Sequence, residues 1–227
     1  MENKNTPNAQ KSTINEINPN TVKITINENN KLENQKPLTI AEFINEEEIV
    51  LFISANFNSI IAYNKENKKR QKRSKHEYIH SSLTPVISLA GFLKLIIKYT
   101  EIENNTLIVS YLYIIQLMNK ENFILEKNNI YILLLASAVL AKKVLEDLVL
   151  DNSYYCQIGL FTEKELNLAE YSLFTRLDFN VNYSMEEVDN VYNEIFASLP
   201  NQRKIEYFQS QNFNMQYIDK TYNKNNI

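Results

Sequence analysis

Residues Tyr154–Val181 read YYCQIGLFTEKELNLAEYSLFTRLDFNV, and within them a glutamate falls on the apolar stripe of a helix. Thr162 followed by Glu165 has the spacing of a capping box, in which each side chain satisfies a free amide at a helix start. From that start Leu166, Ala169, Glu170, Leu173, Phe174 and Leu177 recur at the i, i+3, i+4, i+7 spacing of a core-facing helix stripe. Glu170 therefore belongs to the inward face. A carboxylate is rarely buried without a cation or several donors, because its desolvation costs several kcal/mol.

The candidate partner lies one helix earlier. Residues Asn128–Asp147 contain YILLLASAVLAKKVLEDL, apolar around nearly the whole circumference until two lysines interrupt it, which is the pattern of a central helix. Lys143 shares the row of Ile132, Ala136, Val139, Leu140 and Asp147, whereas Lys142 lies about 100° away and is expected to snorkel to water. Two opposite charges on apolar faces have two explanations, an internal salt bridge of a helical bundle or an interface.

At this point the residues match a family. AVLAKKVLED followed by YYCQIGLFTEKELNLAEYSLFTRLDF resembles the cyclin box of P-type cyclins, the single-box group related to the phosphate-pathway cyclins of yeast and the U-type cyclins of plants. The resemblance extends back through Thr84–Thr100 and Leu107–Leu117 to the helix around Glu42–Asn64, covering roughly residues 40–196. It implies that Lys143 and Glu170 are the pair by which a cyclin holds the regulatory helix of its kinase, with Leu140, Val144, Phe174, Phe179 and Val181 as an apolar rim. It also places Glu146 and Asp147 where acidic side chains can meet arginines of the kinase's activation segment. The implied partner is a cyclin-dependent protein kinase in a heterodimer, and the chain itself is a regulatory subunit without catalysis. A cyclin-fold adaptor for a non-kinase partner is the alternative. It is motivated by departures from the family pattern at Leu95, Ile115 and Gln116; Gly91 is a further departure, and the substrate-docking patch of cell-cycle cyclins is not recognisable in residues 84–97.

Composition narrows the other classes. Of 227 residues, 44% are hydrophobic, which can fill the core of one domain. Only two residues are glycine, Gly91 and Gly159, which excludes the glycine-rich phosphate loops of nucleotide-binding folds; no cofactor is expected. With Cys156 alone and only His76 and His80 beside it, neither an internal disulfide nor a zinc constellation is expected. The longest apolar runs fall short of the ~20 residues that cross a bilayer, so a soluble protein without membrane contact is expected.

The expected fold is all-α: a single five-helix cyclin box with a preceding N-terminal helix and a short closing C-terminal helix. Residues 1–38 form an asparagine-rich arm too polar to repay ordering. Thr39 and Glu42 open the N-terminal helix of residues 39–64. A basic linker occupies residues 65–82, and the box with its closing helix spans 83–198. In the box, Thr84-Pro85 is read as the cap and first turn of the first helix, whose buried stripe is Val86, Leu89, Leu93, Ile96 and Ile97. The other four helices are read over Thr106–Asn119, Asn128–Asp147, Tyr154–Gly159 and Thr162–Leu177. Ser184 and Glu187 cap the closing helix, and 199–227 is read as a polar tail.

Within the linker, Lys68, Lys69, Arg70, Lys72, Arg73 and Lys75 are the densest charge run. Three readings stand beside one another: a nuclear-import signal, a solvated loop, or a phosphate contact. Nucleic-acid binding is disfavoured by the formal net charge of −3 and the lack of an aromatic stacking platform. The expected location is nucleus and cytoplasm.

Overall fold

The structure is a computed structural model that describes residues 38–67, 79, 84–121 and 123–211. The arm before residue 38 and the basic run Lys68–Lys75 lie outside them. The described residues are helical and connecting segments, and no strand occurs among them. The chain runs through α1 (Ile40–Phe43), α2 (Glu46–Asn67), α3 (Leu89–Thr100), α4 (Asn104–Glu121) and α5 (Ile130–Leu145). It continues through α6 (Asn152–Tyr155), a 3-10 turn (Cys156–Gly159), α7 (Glu163–Arg176), α8 (Met185–Ser198) and α9 (Asn201–Ser210). This is the all-α architecture expected, with α3 to α7 forming one five-helix box.

The architecture follows from the apolar content of α5. Every residue from Ile132 to Lys142 is buried. A helix buried on all sides must be central, and α5 packs against α3, α4 and α7. The flanking helices are one-sided. In α3, Leu89, Phe92, Leu93 and Ile96 are buried, while Lys94 and Lys98 stay exposed. In α7 the inward set is Leu166, Ala169, Ser172 and Leu173. Capping boxes begin α1 at Thr39, α7 at Thr162 and α8 at Ser184, each with the hydroxyl and the third-position glutamate reciprocally bonded.

The first box helix starts later than its sequence suggests. Ser88, not Thr84, is the N-cap of α3, its hydroxyl accepting from the Gly91 N–H at 3.0 Å. Thr84 and Pro85 precede a bend at Val86–Ile87, whose Ile87 carbonyl accepts from the Tyr131 hydroxyl. Val86 is consequently fully exposed instead of belonging to the buried stripe, because helical phase does not reach a residue outside the helix. The polar segment after Leu199 carries a further helix, α9. It buries no residue fully and is fixed by polar and aromatic contacts to the first helices. Arg203 Nε donates to Glu48 Oε1 at 2.7 Å and Nη2 to Oε2 at 3.2 Å, with the guanidinium 4.2 Å over the Phe43 ring. The Tyr207 hydroxyl reaches the Leu38 carbonyl, and its ring lies edge-on to Phe43 and Phe196.

Helix α2 is bound to the box along its length. Its Asn64 side chain donates to the Leu125 carbonyl at 3.0 Å, and Phe57 and Phe52 pack on Tyr111 of α4.

Candidate functional site: a charged pair in an apolar surround

Helices α5 and α7 bring Lys143 and Glu170 together. The Lys143 ammonium donates to Glu170 Oε1 at 2.7 Å and to Oε2 at 2.8 Å. The pair is neither buried nor fully solvated: the lysine side chain retains 34% of its exposure and the glutamate 14%. Glu170 is the more enclosed partner because Asn152, at the start of α6, covers it. The Asn152 amide nitrogen donates to Glu170 Oε2 and to Asn167 Oδ1, both at 2.6 Å. Asn152 is itself buried, and its Oδ1 has no hydrogen-bond partner. This asparagine was missed by sequence reasoning. Its signal is an amide residue two positions before the YYCQIG segment, which becomes meaningful only once α6 is folded across α7.

The two lysines of α5 exchange the roles their sequence suggests. Lys142, expected in water, is 5% exposed, and Lys143 is the one that points outward. The reason is a second acid at the end of the same helix: Lys142 forms an i,i+4 ion pair with Glu146. Glu146 in turn accepts from the Glu103 N–H at 3.0 Å, and so joins the start of α4 to the end of α5. Burial alone would raise the Glu146 carboxyl. Hydrogen bonds from Lys142, the Glu103 amide and the Thr106 hydroxyl, together with the Lys142 charge, outweigh it and hold the group below the usual carboxylate range. Glu146 thus faces inward, while its neighbour Asp147 is exposed.

Around Lys143 and Glu170 the apolar side chains divide by exposure. Leu140 is buried in the core, Phe174 and Val181 are half-buried, and Val144 and Phe179 face solvent. Phe179 is 62% exposed. Its position comes from the way α7 stops. The Phe179 N–H bonds to the Phe174 carbonyl at 3.1 Å and the Asp178 N–H to the Thr175 carbonyl at 3.0 Å, the two bonds of a Schellman motif. Asp178 and Phe179 both take left-handed backbone angles, with φ of 53° and 62°. The apolar contact that accompanies such a stop is made by Phe179 on Phe174, edge-on at 5.0 Å between ring centroids. Val181 is held by its carbonyl, which accepts from the Tyr113 hydroxyl at 2.7 Å. Following Val144 in the chain, Leu145, Leu148, Leu150 and Tyr154 are exposed and line one surface hollow, and Tyr171 is exposed on α7.

Two of the positions that depart from the family pattern have partners of their own. Gln116 accepts from the Tyr183 hydroxyl, and Ile115 packs at the core margin. Among the described residues no group of three metal-ligating side chains occurs, and no helix is long and apolar enough to cross a membrane.

Comparison with known proteins agrees with this geometry. The cyclin family model matches residues 10–181. The chain is 33% identical to Cyclin-U3-1 of Arabidopsis thaliana over 97 residues, covering 43% of this chain and 44% of that one. It is 27% identical to PHO85 cyclin-7 of Saccharomyces cerevisiae over 189 residues, covering 74% and 66%. With Cyclin-U4-2 of Arabidopsis thaliana the identity is 24% over 142 residues, covering 62% and 64%. The chain spans between 44% and 66% of the length of these three relatives. A charged pair carried by the third and fifth helices of an all-α box, and a family match across most of the sequence, lead to one assignment: the chain belongs to the cyclin family, as a P/U-type cyclin with a single cyclin box.

Proposed function

We propose that this protein is a non-catalytic regulatory subunit that binds and activates a cyclin-dependent serine/threonine protein kinase. The observation that carries the reading is the partly exposed Lys143–Glu170 pair, held by Asn152, with Val144 and Phe179 exposed. A donor and an acceptor side by side on an otherwise apolar surface suit a partner that presents both backbone polar groups and apolar side chains, as a helix end does. Two relatives are by name a PHO85 cyclin and a PHO85 cyclin-like protein, which favours a kinase partner over a non-kinase one. In the complex the cyclin holds the kinase's regulatory helix inward, completing the kinase's Lys–Glu pair and metal-binding constellation. Phosphoryl transfer belongs to the partner.

Of the two acids after α5, Asp147 is the one open to a partner's arginines, since Glu146 is engaged by Lys142, Glu103 and Thr106. A location in both nucleus and cytoplasm, with Lys68–Lys75 as import signal, completes the proposal. Alanine replacement of that run, followed by imaging, tests it.

The deciding experiment is affinity purification of the tagged chain from its own cells beside a Lys143→Glu, Glu170→Lys variant. Reversing both charges keeps an attractive pair within the box while presenting the wrong polarity to the partner. A protein kinase and its activity, recovered with the wild type and lost from a variant of unchanged helicity, is the expected result. The single Lys143→Ala should weaken binding by about 2–5 kcal/mol. A kinase-free wild-type eluate would overturn the reading in favour of an adaptor.

A further inference from the structure

Thr84 is left without the capping role that its position before Pro85 suggests, because Ser88 caps α3. It lies outside any helix and is exposed, with Pro85 half-buried behind it. A residue before proline is steered into the extended region, and the proline contributes no amide hydrogen. An exposed threonine outside any helix, followed by proline, is the form of acceptor that a proline-directed serine/threonine kinase takes.

The surroundings add a second, independent observation. Thr84 lines a cavity of about 300 Å³ together with Lys65, Lys127, Glu126 and Asn128. Lys65 stands in the last turn of α2, and Lys127 in the turn that leads into α5. Neither lysine has an ion-pair partner among the described residues. Among the described lining residues the charged groups are these two ammonium groups and the Glu126 carboxylate, so cationic charge is in excess there.

We propose that Thr84 is a phosphorylation site for a proline-directed serine/threonine kinase, and that Lys65 and Lys127 receive the phosphate. In the reaction Thr84 Oγ1 bonds to the γ-phosphorus of Mg²⁺-bound ATP as the bridging bond to the β-phosphate breaks. ADP leaves, and the hydroxyl proton passes to a base of that kinase. The product carries about −1.5 to −2 charge and three strong acceptor oxygens. Those oxygens bridge the end of α2 to the turn ahead of α5, beside the Asn64–Leu125 hydrogen bond that already joins the same two segments. Phosphorylation therefore fastens the N-terminal helix to the box.

The test takes the full chain, incubated with a purified proline-directed serine/threonine kinase and Mg²⁺-ATP, and maps phosphate by mass spectrometry. Thr6-Pro7 is the other Thr-Pro dipeptide and serves as the internal comparison. Phosphate at Thr84 that is lost in Pro85→Ala is expected, with a melting temperature about 2–4 °C above that of the unmodified chain. A second variant, Lys65→Gln with Lys127→Gln, should still be modified but show no rise. Phosphate at Thr6 alone would overturn the site, and an unchanged melting temperature in the modified wild type would overturn the receptor. Because none of these residues belongs to the Lys143–Glu170 surface, the outcome is independent of which partner that surface binds.

Discussion

The Asn152 amide meets Glu170 Oε2 and Asn167 Oδ1 at the same distance, 2.6 Å, so one side chain from α6 fixes the acid of the charged pair from behind. Removing it frees the carboxylate to rotate away from Lys143. Asn152→Ala is expected to cost about 1–2 kcal/mol of stability and to weaken partner binding at least as much. Asn152→Asp should be worse than Ala, since a second carboxylate against Glu170 replaces a hydrogen-bond donor with a like charge. Calorimetric titration with the co-purified partner, beside thermal melts, checks both; an Asp variant that binds like wild type would refute the positioning role.

Acid should loosen the protein through two inward carboxylates. Burial would raise Glu48, but the Arg203 bond, the Asn45 amide and the Arg203 charge together hold it low, and Glu146 is held low in the same manner. A group whose folded-state value is depressed contributes stability above its unfolded value and loses it as pH falls through the folded one. Stability should thus be level near neutrality and decline as the pH drops below about 4.5, the ordinary value of these groups. Urea unfolding at a series of pH values measures the slope, and Glu48→Gln and Glu146→Gln should each flatten it.

Gly159 is required by contact, not by backbone angle. A Cβ built there would lie 2.1 Å from Cε2 of the buried Phe161 ring, while no glycine among the described residues has positive φ. The ring packs on Phe92 of α3 and cannot withdraw without opening the core. Gly159→Ala should destabilise the box by about 1–3 kcal/mol. Denaturant titration reads this, and Gly159→Ala with Phe161→Leu should recover part of the loss.

Helix α9 buries no residue fully and is held by Arg203, the Tyr207 hydroxyl on the Leu38 carbonyl, Lys204 on the Ala197 carbonyl and the Phe43–Phe196–Tyr207 cluster. Arg203→Ala removes a bidentate bond to a largely enclosed carboxylate and the stacking on Phe43, an expected loss of about 1–2 kcal/mol. Protease cleavage within Asn201–Ser210 should accelerate well before the box unfolds. Cleavage as slow as in the wild type would mean that the aromatic contacts suffice.

Much of this was legible in sequence because the signals are local. Capping boxes at Thr39, Thr162 and Ser184 fix helix starts within four residues of chain, and the all-round apolar run of α5 can only be central. The Lys143–Glu170 pairing was legible through the box resemblance. What failed depended on distant partners. Lys142 and Lys143 differ only by where Glu146 and Glu170 lie, so apolar periodicity assigned their exposures the wrong way round. Thr84 and Ser88 are both competent caps, and the choice between them rests on Tyr131 engaging the Ile87 carbonyl from another helix. α9 has a polar sequence, and its anchors Glu48 and Phe43 stand more than 150 residues earlier.

The left-handed residues among those described are Glu101, Leu160, Asp178 and Phe179, and each sits where a helix or turn ends. Glycine is the usual occupant of such a position, since it lacks the Cβ that makes the conformation unfavourable. A chain with two glycines in 227 residues bends with side chains instead. The folded state carries that strain, but the unfolded chain has fewer backbone states open to it than a glycine-rich one. The helix stops of this box are consequently stiff joints, and at the end of α7 the stiffness delimits the reach of Phe179, which keeps one direction toward solvent and has little conformational freedom left to lose.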